Sequence, residues 1–135
     1  MARILFAYDG SPEARRSLRY AARLGEGDTV AVISVLPVLI EAPRTSDYVD
    51  PTADRGEQQR QLEEARGLLA ATGADVETIG VVGNPAEEII RAAESRDVEL
   101  IVLGRQGRHT VERFLMGSVS DRVVRHAPCD VLVVM

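Results

Sequence analysis

The sequence predicts an open α/β fold, a three-layer sandwich of five parallel strands and four helices. Two observations carry that expectation. Short β-branched apolar runs recur five times and are nearly continuous in hydrophobicity, as strands covered on both faces require. Four stretches with helical spacing of apolar residues lie between and after them, and strict alternation implies right-handed crossovers within one sheet. With 135 residues, 45% of them hydrophobic, the chain suits one domain over 1–135 with a single buried core.

The first strand is RILFAY, 3–8. After Asp9-Gly10, Ser11 can cap a helix with Pro12 at its first position. Ala14, Leu18, Ala21 and Ala22 share one face of that helix, and Arg15, Arg16, Arg19 and Arg23 fall mostly outside it. TVAVISV, 29–35, is the second strand. Residues 37–55 hold Pro37, Pro43 and Pro51 without a period, a long connection of the kind that serves as a lid or stays disordered. The second helix, over 56–72, turns Leu62, Ala65 and Leu69 inward.

VETIGVV, 76–82, is the third strand. Asn84-Pro85 with Glu87 has the arrangement of a capping box, and the helix behind it buries Ala86, Ile89, Ile90 and Ala93. ELIVLG, 99–104, is the fourth strand. The last helix begins near Ser118, with Asp121 three residues on, and stops before Pro128. DVLVV, 130–134, forms an uncharged apolar edge open to pairing with another chain.

Composition narrows the function. No apolar run approaches the ~20 residues that span a bilayer, and the N-terminus reads as a strand rather than a signal peptide, so no membrane role is expected. The net charge of −5 argues against nucleic-acid binding. Cys129 stands alone, which excludes an internal disulfide framework or a C-x-x-C knuckle and suggests a reducing cytoplasm. It opens an apolar strand and reads as a buried, inert thiol.

The chain contains no lysine, so all 16 basic residues are arginine. That excludes a Walker A lysine, a Schiff-base lysine and the lysine of a receiver domain. An anion must then be held by backbone amides, helix ends and arginines. Two Phe, three Tyr and no Trp argue against a flavin site, and no GxGxxG follows the first strand.

The stretch LGRQGRHTVERFLMGSVSD, 103–121, carries the strongest site signal. Ligands of open α/β sheets bind beyond the carboxyl ends of the strands, where the strand order reverses. In the order 3-2-1-4-5, one of the few allowed, strands 1 and 4 flank that crevice, and Asp9-Gly10-Ser11 faces Gly104 onward. Glycines at Gly104 and Gly107 permit sharp turns with exposed N–H groups. Gly117-Ser118 sits at a helix start, which favours an anion. Three arginines against one glutamate give the loop a charge of +2. On these grounds alone two readings stand level: turn glycines with Ser118 as a helix cap, or a phosphate cradle. His109 is either a loop residue without a task or an acid–base group near a γ-phosphate. His126 lies where it complements a helix C-terminus.

The spacing G-x2-G-x9-G-[ST] resembles the ATP-binding subgroup of the universal stress protein family. So do ILFAYDGS, VVGNPAEEII and GSVSDRVVRHAPCDVLVV, and the resemblance covers nearly the whole chain. It implies the 3-2-1-4-5 sheet and a regulatory, stress-response module that binds ATP and hydrolyses it slowly or not at all. Gly104, Gly107, Gly117 and Ser118 would hold the phosphates, with Arg105, Val119 and Ser120 lining the cradle. Asp9 would lie by the ribose and a phosphate-bound magnesium ion, with Ala7 and Tyr8 beside it. Val35 would meet adenine through its backbone and Leu103 would close the base pocket. A homodimer through the last strand, around Val131 and Val133, is also implied. Two features depart from the pattern. Arg105 and Arg108 are unusually cationic and would tighten the phosphates or clamp an empty loop, and Asp130 stands where proline is expected. No catalytic residue is evident. The alternative is an ATP-hydrolysing or adenylating enzyme of the same superfamily, although neither an SGGxDS loop nor a HIGH-type motif is present.

Overall fold

The computed structural model describes residues 2–37, 51–105 and 117–135. Strands β1 (Arg3–Ala7), β2 (Thr29–Pro37), β3 (Asp75–Gly83), β4 (Leu100–Gly104) and β5 (Asp130–Val134) form one sheet in the order β3-β2-β1-β4-β5. Every neighbouring pair is parallel. The helices are α1 (Pro12–Ser17), α2 (Pro51–Ala70), α3 (Pro85–Ser95) and α4 (Ser118–His126).

Local chemistry explains most boundaries. Ser11 caps α1 by accepting from the Ala14 N–H at 3.1 Å, and Pro12 needs no partner at the first position. Ser17 donates its hydroxyl back to the Ala14 carbonyl, and the chain tightens there into a 3-10 segment, Leu18–Arg23. Helix α2 starts at Pro51 rather than at 56, since a helix tolerates proline in its first turn. The long connection therefore shrinks to 38–50, which lies outside the described residues.

Asn84 caps α3 as expected, accepting from the Glu87 N–H at 3.1 Å. The reciprocal half of the box is replaced, because the Glu87 carboxylate accepts from Arg122 of α4 at 3.2 Å. Ala92, not Ile90, joins Ala86, Ile89 and Ala93 in the buried face of α3.

The core is double rather than single. Alternate strand residues face opposite sides, so Phe6, Tyr8, Val32 and Val102 pack with Leu62, Ala65 and Leu69 on one side. Leu5, Ile33, Ile101 and Leu103 pack with Ala86, Ile89 and Val123 on the other. Coverage of both faces holds for the central strands. The edge strands β3 and β5 are largely half-exposed, and Cys129, at the start of β5, is half-buried rather than buried. Among the described residues no helix is long and apolar enough to cross a membrane.

Candidate functional site

A gap opens where β1 and β4 part. Their pairing runs from Ile4–Leu100 to Phe6–Val102 and stops. Beyond it, β1 stays with β2, the Tyr8 N–H donating to Ile33 O at 2.9 Å. β4 stays with β5 instead, the Arg105 N–H donating to Val134 O at 2.8 Å. The two central strands thus diverge at their carboxyl ends, where the reversal of strand order predicts a ligand.

The turn after β1 forms one wall. Gly10 has φ +77, a left-handed conformation that favours glycine. The Asp9 carboxylate accepts from the Ser11 N–H at 2.9 Å, which closes the turn. The Tyr8 ring points away from the gap into the α2 side of the core, and its hydroxyl donates to Glu64 at 3.3 Å. Burial pushes the Tyr8 phenol above its ordinary pKa, so it stays neutral. Only the backbone of Tyr8 is placed to line the site.

Four predicted residues do come together. Ala7, Val35, Leu103 and Val119 all belong to the cluster on the α3–α4 side of the sheet, Leu103 buried and the others packed around it. They supply apolar surface at the ends of β1 and β4, along β2 and in the first turn of α4.

The far wall is the junction of β4 and α4. The chain leaves at Arg105 and re-enters at Gly117, whose N–H donates to Arg105 O at 2.8 Å. Buried Ser120 fastens the same junction, donating its hydroxyl to Gly104 O at 2.6 Å and Arg105 O at 2.9 Å. Gly107, Arg108 and His109 lie outside the described residues.

Gly104 has a packing role. A Cβ there would lie 2.7 Å from Glu13 Cβ, so glycine lets α1 sit against the end of β4. Gly117, not Ser118, is the N-cap of α4, and among the described residues no side chain caps the helix start. The reading in which Ser118 merely caps its helix is thereby corrected: Ser118 is the first helical residue, and its side chain is exposed.

Two unsatisfied features converge here. The N-terminal N–H groups of α4 receive no side-chain oxygen at the cap among the described residues, and the one acidic residue of the first turn, Asp121, is paired with Arg125. Arg105 at the same junction has a buried Nε without a hydrogen-bond partner among the described residues. Buried donors of this kind cost free energy unless an acceptor satisfies them. An anion at the start of α4 would answer the first need directly, and the guanidinium favours the same charge. These residues fit a bound phosphate chain.

Sequence reading missed Gln58. Its buried amide donates to Ser34 O at 2.8 Å and Val81 O at 3.1 Å, pinning α2 across the ends of β2 and β3. Its signal was a glutamine in register with the inward Leu62, Ala65 and Leu69. Cys129 is held protonated, its pKa raised by burial and by the neighbouring Asp130.

Known proteins share this fold. The model of the universal stress protein family matches residues 1–135. A universal stress protein of Thermus aquaticus is 35% identical over 136 residues, covering 97% of this chain and 96% of its own. Among solved structures, the hypothetical protein MJ0577, determined for structure-based assignment of its function, superposes with a TM-score of 0.84 at 26% identity. That match covers 98% of this chain and 94% of the other. A universal stress protein of Archaeoglobus fulgidus, solved in complex with dAMP, superposes with a TM-score of 0.71 at 29% identity, covering 100% and 98%.

Proposed function

The chain belongs to the universal stress protein family, and from that premise we propose that it is an ATP-binding module that holds its nucleotide and hydrolyses it slowly or not at all. One observation supports the reading: at the β4–α4 junction, among the described residues, the start of α4 has no side-chain cap and the buried Arg105 Nε has no hydrogen-bond partner. The dAMP in the Archaeoglobus relative supports an adenine nucleotide as the class of ligand.

In this reading Ser118, Val119 and Ser120 present backbone N–H groups to the phosphates and the Ser118 hydroxyl adds a donor, while Gly117, whose own N–H is held by Arg105 O, lets the chain approach them closely. Ser120 contributes its backbone alone, because its hydroxyl fastens the junction. Arg105 balances the phosphate charge, joined by Gly107 and Arg108 of the intervening loop. Ala7, Leu103 and Val35 flank the base and sugar. Asp9, in the turn after β1, would lie by the ribose and a phosphate-bound magnesium ion. The reading includes a cytoplasmic setting, where ATP is supplied, and a homodimer through the outer edge of β5.

Titration calorimetry with MgATP tests the proposal. Saturable heat at micromolar nucleotide is expected, with at most slow phosphate release afterwards. A folded protein that gives no heat at high micromolar MgATP defeats it.

A further inference from the structure

We infer that Asp130 of one copy docks into an arginine groove of a second copy, so that two symmetric charge clusters set the register of a β5–β5 interface. The inference rests on the reading of β5 as the dimer edge and adds what fixes the alignment there.

The groove lies at the outer end of β5 and has a volume of about 480 Å³, lined by Arg16, Arg19, Tyr20 and Arg23 together with Val133, Val134 and Met135. Its positive charge is incompletely answered. Arg16 has Glu13 at 3.5 Å, and Arg23 sits 5.7 Å from the centre of the Tyr20 ring. Arg19 and Arg23 enter no ion pair among the described residues. Three guanidiniums around one groove, in a chain of net charge −5, call for an acidic occupant.

Strand geometry says which carboxylate a second copy would bring. Leu132 and Val134 pack toward the α1–α2 side, whereas Val131 and Val133 pack toward the α3–α4 side. By the same alternation Asp130, which is exposed, faces the α1–α2 side, the side that carries the groove. Antiparallel pairing of two β5 strands about a twofold axis joins the sheets with matching faces on the same side. Directly opposed residues must then share a face. Centred on Leu132, this pairing sets Asp130 opposite Val134, with Cβ atoms about 4.5–5.5 Å apart. The carboxylate thus arrives beside the guanidiniums, and the twofold axis makes the contact twice.

The contact supplies what the strand itself lacks. Val131, Leu132 and Val133 are much alike in bulk and shape, so a slip of two residues would cost the apolar pairing little. A slip that carries Asp130 away from the groove leaves two charge clusters unanswered. Register is thereby fixed by charge at the ends of the strand rather than by shape along it.

Sedimentation equilibrium on the full chain at low and moderate salt tests this. The wild-type dimer should weaken as salt rises. Asp130→Asn should raise Kd several-fold, and Asp130→Arg about tenfold or more, since each interface holds two such contacts. Arg19→Asp with Arg23→Asp should weaken it similarly, and combining the reversals with Asp130→Arg should restore most of the affinity. Circular dichroism of the isosteric Asp130→Asn variant separates lost pairing from lost fold. A wild-type dimer whose Kd is indifferent to Asp130→Asn, Asp130→Arg and salt overturns the charge register and leaves the β5 dimer standing. Dimerisation unchanged but inorganic phosphate binding lost in the arginine variants also overturns it, assigning the groove to a small anion. A wild-type monomer at tens of micromolar defeats both.

Discussion

Two helices begin at the same end of the sheet and treat their first turns differently. At α1, Ser11 supplies the capping oxygen, Asp9 closes the preceding turn and Pro12 has no N–H to satisfy. At α4, the cap is a glycine with no side chain to offer, and among the described residues the Nε of Arg105 has no hydrogen-bond partner. The first turn is complete within the protein. The second shows no such closure among the described residues, which is the difference the proposed anion site rests on. Both helix starts carry the same glycine-serine pair, Gly10-Ser11 and Gly117-Ser118.

The strongest way to break the comparison is to give α4 its own anion. Ser118→Asp places a carboxylate at the exposed first position of the helix. A unit charge about 4 Å from a phosphate repels it by about 4 kcal/mol at an effective dielectric near 20. Some screening at an exposed site lowers this, so MgATP affinity in calorimetry should fall by roughly two to three orders of magnitude. The free protein should be unchanged in urea denaturation or gain a few tenths of a kcal/mol from the helix dipole. Unaltered affinity would place the phosphates elsewhere.

Next comes the contact that joins the two junctions. Gly104→Ala pushes a methyl group to within 2.7 Å of Glu13 Cβ on α1. Relief requires a shift of helix backbone, and about 1–3 kcal/mol of stability should be lost in urea unfolding. A neutral result would mean that α1 moves aside freely.

The smallest effect belongs to the completed turn. Ser11→Ala removes the α1 cap and should cost about 1 kcal/mol in the same unfolding measurement, with MgATP affinity nearly constant. If affinity falls as far as in Ser118→Asp, the two helix starts are not divided as described.

Much of this protein can be read locally. The alternation of apolar runs and helical faces gave the five strands and four helices, and Ser11 and Asn84 named two caps correctly. Errors arose where one residue had two plausible partners. Glu87 suits its own cap by spacing but bonds to Arg122 of another helix. Ser118 suits a cap by type, yet Gly117 holds that position. Ser120, which the family resemblance puts in the cradle, uses its hydroxyl to fasten the β4–α4 junction, a task its position in the sequence does not reveal.

The glycine spacing alone left turns and a phosphate cradle level, and only the family resemblance favours the second, whereas the sequence by itself determined the class of fold and the absence of lysine chemistry. Those depend on residue type and on separations of a few positions, which chain geometry converts directly into faces and turns. Only the tertiary structure decided that the Tyr8 ring leaves the gap, that Gly104 makes room for α1 and that the Arg105 Nε is buried without a partner among the described residues. Each of these depends on which distant segment comes close, and whether a buried donor is satisfied or stranded is settled only when every neighbour is in place.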